Sequence, residues 1–247
     1  MARVHIGTMG WSYNFWVGNF YPKGLKSTDF LTEYSKHFHT VEVDNTFYRV
    51  PNKSTLEKWK EQTPPEFLFS AKFPQVITHQ KMLRDCEQEL QFFIERISAL
   101  EEKLGPLLLQ FPPMFGSKQA VLLDDFLPRL PKKHRCAVEV RNAQLLNPSF
   151  FALLRENHVA LAIVVSPFMP EINEMTADFA YVRWEGDRKK VNGALGKVEV
   201  DKTDETKRWG EKIKGFLKEV DEAFGYFSKY YSGEPTADAE QLIELLT

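Results

Sequence analysis

Eight short runs of β-branched, aromatic and aliphatic residues recur along the chain, each followed by a helical pattern, and this alternation limits the fold more than any other feature. The runs are RVHIGT from Arg3, TVEVDN from Thr40, FLFSAKF from Phe67, PLLLQF from Pro106, CAVEVR from Cys136, LAIVVS from Leu161, FAYVRW from Phe179 and GYFSKY from Gly225. Several are almost unbroken in apolar character, as strands covered on both faces must be. Within 247 residues, with no composition break or low-complexity linker, eight such units predict an α/β fold: one (β/α)8 barrel of TIM type, somewhat irregular, with residues 1–247 as a single domain. An open doubly wound sheet is the alternative, because closure is not written in an alternation pattern.

The intervening segments carry helix punctuation. Ser54 and Glu57 form a candidate capping box. Leu90, Phe93, Ile94, Ile97, Leu100 and Leu104 repeat at helical spacing, and Gly105-Pro106 is placed to close that helix. Asn147-Pro148 reads as an N-cap followed by the first helical residue. Ile213, Phe216, Leu217 and Val220 make one apolar stripe, and Leu242, Ile243 and Leu246 make the last.

Composition narrows the class without naming a function. Hydrophobic residues at 43%, charged residues at 27% and a formal net charge of −2 exclude disorder as the main state. This charge gives a nucleic-acid partner no overall support, although a local basic patch keeps one open. Cys86 and Cys136 form neither a metal-binding pair nor a disulfide framework and read as ordinary thiols of a reducing cytosol. The opening MARVHIGTMGW lacks the apolar core of a signal peptide and no run is long enough to span a bilayer, so a cytoplasmic protein with no membrane partner is expected. No P-loop, no GxGxxG after the first run and no GxSxG elbow is present, which removes local support for kinase, dinucleotide and serine-hydrolase chemistry.

In a barrel, chemistry sits at the carboxyl ends of the strands, and polar residues concentrate there. Thr8, Gly10 and Trp11 end the first run, Glu42, Asp44 and Asn45 the second, Lys72 the third and Gln110 the fourth. Glu139 and Arg141 follow in the fifth, Arg183 and Glu185 in the seventh, and Ser228, Lys229 and Tyr230 in the eighth. A two-residue period puts Glu42 with Asp44, Glu139 with Arg141, and Arg183 with Glu185 on common faces. Glu42 and Glu139 are each flanked by valines, where an unpaired carboxylate is costly. Lys72, Arg141 and Arg183 are their candidate partners, and ion pairs that merely seal the barrel top are the competing reading.

The residues also carry a resemblance. IGTMGWSY, FYPKGL, HFHTVEVDNTFYRVP, FLFSAKFPQVITH, LGPLLLQFPPMF, AVEVR and TADFAYVRWEG occur in order over nearly the whole chain, which resembles the YecE-like family of domains of unknown function. The resemblance implies a TIM-type barrel, loosely akin to sugar-isomerase and endonuclease-type barrels, without an established reaction. It places the family's recurrent polar positions on Glu42, Asn45, Tyr48, Lys72, His79, Gln110, Glu139, Arg141 and Arg183. The chain departs from the pattern where Asn142 and Ala143 follow Arg141, where Glu185 replaces a histidine, and where YFSKYYSG from Tyr226 lacks the expected carboxylate and amide.

Of six histidines only His79 is placed at the mouth, so a multi-zinc site is not expected and no cofactor is predicted. An oxygen-ligated Mg²⁺ or Mn²⁺ on Glu42, Asp44 or Glu139 is the one metal reading kept open. GDRKKVNGALGK from Gly186 is a basic, glycine-bearing loop where barrels often bind phosphate. Trp11, Tyr13, Phe15, Trp16, Phe20 and Tyr21 crowd the first loop, either as a packed lid or as a stacking surface.

Two function classes follow. The first is an enzyme or ligand-binding barrel for a small polar, anionic molecule of phosphate or sugar type, with hydrolase and isomerase versions not separated. Glu42, Lys72 and Glu139 are its candidate catalytic residues, and Trp11, Asn45, Tyr48, His79, Gln110, Arg141 and Arg183 its candidate substrate contacts. The alternative is a nucleic-acid-binding or repair-associated barrel using the aromatic first loop and the Arg188 to Lys190 patch.

Overall fold

The computed structural model describes residues 3–247. Eight strands, β1 (Arg3–Thr8), β2 (Thr40–Val43), β3 (Leu68–Lys72), β4 (Leu104–Gln110), β5 (Cys136–Glu139), β6 (Ala160–Val165), β7 (Phe179–Trp184) and β8 (Glu222–Phe227), pair in parallel in the order β1-β8-β7-β6-β5-β4-β3-β2. Helices α1 (Phe30–Tyr34), α2 (Lys53–Glu61), α3 (Glu87–Ile97), α4 (Ser117–Ala120), α5 (Leu122–Phe126), α6 (Pro148–Glu156), α7 (Thr203–Phe216) and α8 (Pro235–Leu246) connect them.

The sheet curls into a nearly closed barrel whose last seam is stitched differently from the rest. Between β1 and β2 a single bridge joins Met9 to Glu42, with the Gly10 N–H donating to the Glu42 C=O at 2.8 Å. Below it the hydroxyl of Tyr34, fully buried on α1, stands between the strands. It accepts from the Thr8 N–H at 2.9 Å and donates to the Thr40 C=O at 3.1 Å. Gly7 is required at this approach, since a Cβ there would lie 2.2 Å from the Thr40 oxygen.

Strand periodicity sorts the side chains into two cores. Val41, Val43, Val182 and Trp184 point outward to the helices, whereas Leu108, Ala137, Ala162, Phe179, Tyr181, Phe224 and Tyr226 fill the barrel interior. At the amino ends of the strands His5 stacks on Phe224 beside the buried Glu222. Further up the barrel Tyr226 meets Thr40 at 2.9 Å and Tyr181 meets Ser70 at 2.7 Å.

Four sequence expectations are corrected. Strand β8 lies three residues earlier than GYFSKY, because Glu222, a charge at the head of the run, is buried in the fold and held by Arg3 and Arg135. The cap of α2 is Asn52, whose side chain accepts the Thr55 N–H at 2.8 Å, so Ser54 and Glu57 lie inside the helix and form no capping box. Gly105-Pro106 does not close α3. The helix gives way to a 3-10 turn, Ser98–Lys103, with Glu101 at φ 54°, and Pro106 enters β4 where the register with β3 slips. Finally, no helix joins β6 to β7 among the described residues; Pro167 and Pro170 interrupt that segment near its start. Asn147 does cap α6, accepting the Phe150 N–H at 3.1 Å with Pro148 at the first helical position.

Candidate functional site

The carboxyl ends of β2, β5 and β7 converge on one guanidinium. Arg183 is 1% exposed, and its Nη2 and Nε donate side-on to the two carboxylate oxygens of Glu42 at 2.7 and 2.9 Å. Its Nη1 donates to Glu139 and, at 2.6 Å, to Glu185. Tyr181, two residues earlier on the same face of β7, donates its hydroxyl to the second oxygen of Glu42 at 2.6 Å. Arg141 approaches from the rim, donating through Nε to Glu139 at 2.8 Å and through Nη2 to Glu185 at 3.1 Å.

Lys72 takes a different set of partners. Its Nζ donates to Gln110 Oε1 at 3.2 Å, lies 3.3 Å from Asp44 and sits over the Phe47 ring. Glu42 therefore pairs with Arg183 and not with Lys72, and Glu139 is shared by Arg183 and Arg141. Gln110 is directly opposite Glu139 in the β4–β5 ladder, which sets the lysine beside the carboxylate cluster.

The electrostatics follow from burial opposed by pairing. Burial raises the Glu42 carboxyl above the ordinary glutamate range, while Arg183 works in the other direction. Glu185 is also buried, yet Arg183 and Arg141 outweigh the loss of water and bring its carboxyl down to about 2. Burial, then Lys72 and Arg141, lowers the His79 imidazole, so the ring is neutral at neutral pH.

The remaining expected residues divide. His79 stands on a wide helical turn, Val76–Gln80, with Nδ1 2.9 Å from Thr78 Oγ1 and its ring against Phe47, at the edge of the site. Asn45 and Tyr48 are exposed on the rim and Tyr48 leans on Phe47. Trp11 turns the other way, its ring edge-on to Trp59 of α2 and to Phe69, so it faces the helical layer and not the mouth. Trp16 and Tyr21 are buried too, stacked on Tyr34 and Phe30 of α1, so these rings of the first loop are packed. Ser228 is buried just past the end of β8, while Lys229 covers the rings of Tyr13, Phe15 and Tyr230.

Arg183 was expected to hold substrate, but with Met9 Sδ at 3.4 Å as its last acceptor it has no N–H left for a ligand. All five of its N–H groups are directed at protein acceptors. Tyr181 is a member of this cluster that is absent from the residues expected at the mouth. Its hydroxyl was hidden in an apolar run, although the period of two from Arg183 marks it. Glu42 and Glu139, suggested as Mg²⁺ or Mn²⁺ ligands, are turned onto arginines, and no cluster of three His, Cys, Asp or Glu shaped for a metal occurs among the described residues.

Comparison with known proteins agrees with this architecture. The model of a family described as "Protein of unknown function DUF72" matches residues 5–247. The chain belongs to the DUF72 family. UPF0759 protein YecE of Escherichia coli K12 is 38% identical over 149 residues, 60% of this chain, and the match spans only 50% of that relative. UPF0759 protein YunF of Bacillus subtilis is 26% identical, covering 98% of this chain and 94% of its own. The crystal structure of a DUF72 protein from Thermotoga maritima superposes with a TM-score of 0.87 at 26% identity, covering 99% of both chains. A D-psicose 3-epimerase crystallised in the presence of D-fructose reaches a TM-score of 0.51 at 10% identity, covering 98% of this chain and 90% of its own, a likeness of fold alone. Among the described residues no helix is long and apolar enough to cross a membrane.

Proposed function

We propose that the barrel mouth binds a small polar, anionic molecule of phosphate or sugar type and acts on it as a hydrolase or isomerase. The observation that supports this is the placement of the charges. Three buried carboxylates and a buried arginine are gathered at the carboxyl ends of the strands, while Lys72 and Arg141 border the rim. Packing does not require such a cluster, because well-packed apolar side chains of equal volume are commonly as stable or more so.

In this reading Lys72 and Arg141 hold the anionic group and stabilise charge that develops on it. Glu139, joined to Arg141 at the rim, moves the proton, and Gln110 orients Lys72. Glu42, enclosed by Arg183 and Tyr181, fixes the charge and geometry of the arginine. His79, neutral and at the edge of the site, is the second proton-transfer group within the mouth.

The test is a thermal-shift screen of phosphorylated sugars, nucleotides, oligonucleotides and divalent metals against wild type, Lys72→Ala and Glu139→Gln. A small anionic ligand is expected to raise the melting temperature of wild type alone, with the variants retaining the wild-type circular dichroism spectrum. Variants that respond as wild type does would place the site elsewhere. A response confined to oligonucleotides, weakening steeply with salt, would replace this reading with the nucleic-acid one.

A further inference from the structure

The missing helix between β6 and β7 leaves a cleft of about 320 Å³ beside the carboxylate cluster, at the low end of the range of small-molecule sites. One wall is apolar, made by Pro113, Val164, Phe168 and Met169. The lining also carries Arg141, Arg188 and Lys189 against the single carboxylate of Glu185, so cations are in excess.

Phe168 is the informative residue. The residue is 63% exposed, although its backbone is fixed by the Ser166 hydroxyl, which accepts the Phe168 N–H at 3.2 Å. Lys189 Nζ stands 5.8 Å from the ring centre, and the rest of this exposed ring offers a planar group a stacking surface at the lip of the apolar wall. Arg141 and Arg188 reach the cleft while paired with Glu185. The guanidinium carbon of Arg188 is 4.8 Å from the Tyr230 ring centre, and its Nη2 is 3.5 Å from Glu185. Gly186, at φ 69°, sets the start of this loop; a Cβ there would meet the Tyr230 carbonyl oxygen at 2.0 Å. Arg141 and Glu185 belong to both the cleft and the Arg183 cluster, so an anion held here adjoins Glu139.

We propose that this cleft is a subsite for a planar heteroaromatic group carrying a phosphate monoester, the ring stacking on Phe168 and the phosphate held by Arg141, Arg188 and Lys189. The inference rests on the small-molecule reading of the mouth and narrows it, selecting a nucleoside monophosphate over a plain sugar phosphate. Titration calorimetry with adenosine 5′-monophosphate, adenosine and ribose 5-phosphate tests it, using wild type, Phe168→Ala, Phe168→Trp and Lys189→Ala.

The monophosphate is expected to bind at least about tenfold tighter than either fragment. Loss of one stacking ring costs about fivefold to a hundredfold, so Phe168→Ala should weaken the monophosphate by that factor and leave ribose 5-phosphate unchanged. Phe168→Trp should restore it, and Lys189→Ala should weaken both phosphates. Equal binding of ribose 5-phosphate and the monophosphate, or indifference to Phe168→Ala, overturns the subsite while leaving the mouth reading intact. Absence of binding by all three probes also overturns the subsite, and the Lys72 and Glu139 variants then judge the mouth independently.

Discussion

Arg183 has five N–H donors, and the fold supplies an acceptor for each: two from Glu42, one each from Glu139 and Glu185, and the sulfur of Met9. A buried guanidinium is tolerable only on such terms, since its desolvation costs several kcal/mol. A second buried charge has no such company. Asp238, in the first turn of α8, accepts the Ser232 hydroxyl at 2.5 Å, and burial raises its carboxyl to about 7, with Glu234 and Glu205 adding to the rise and Lys202 opposing it. Because the raised pKa belongs to the folded state, the contribution to stability is whole below about pH 4, is lost as pH rises, and is gone above about 7. Asp238→Asn should therefore match wild type near pH 4.5 and exceed it by about 1–4 kcal/mol at pH 8 in urea unfolding. A difference that does not change with pH would show that Asp238 is not the titrating group.

The elements owe their positions to local chemistry modified by neighbours. Asn52 outcompetes Ser54 as the cap of α2 because its oxygen reaches both the N–H and the hydroxyl of Thr55, a geometry the spacing of Ser54 and Glu57 did not reveal. At the seam between β1 and β2, Tyr34 replaces a stretch of the backbone ladder. Tyr34→Phe keeps the ring but leaves the Thr8 N–H and Thr40 C=O without their partner. Each buried orphan costs about 1–3 kcal/mol, so a loss of about 2–5 kcal/mol is expected from denaturant unfolding. Loss below about 0.5 kcal/mol would mean that the seam is held by the Met9–Glu42 bridge alone. The β6–β7 connection is the converse case, where the two prolines of SPFMP withhold a helix and the cleft appears in its place.

For the whole molecule, one continuous eight-stranded parallel sheet predicts that the barrel unfolds as one unit. Far-ultraviolet circular dichroism and tryptophan fluorescence should report the same transition, with Trp16 in the first loop and Trp209 on α7 as reporters at opposite ends of the chain. Two separated transitions would overturn the single-domain reading. The sequence alone determined the parallel α/β class, the number of strands and the parity of Glu42, Glu139 and Arg183, because a period of two and a strand-helix alternation are properties of the local chain. It also showed where carboxylates and cations end the strands. Only the tertiary structure decided that Arg183, not Lys72, holds Glu42, that Trp11 turns into the helical layer, and that Tyr34 closes the barrel. Those outcomes depend on which strand ends meet across the barrel axis, and no spacing along the chain encodes a distance between residues brought together by closure.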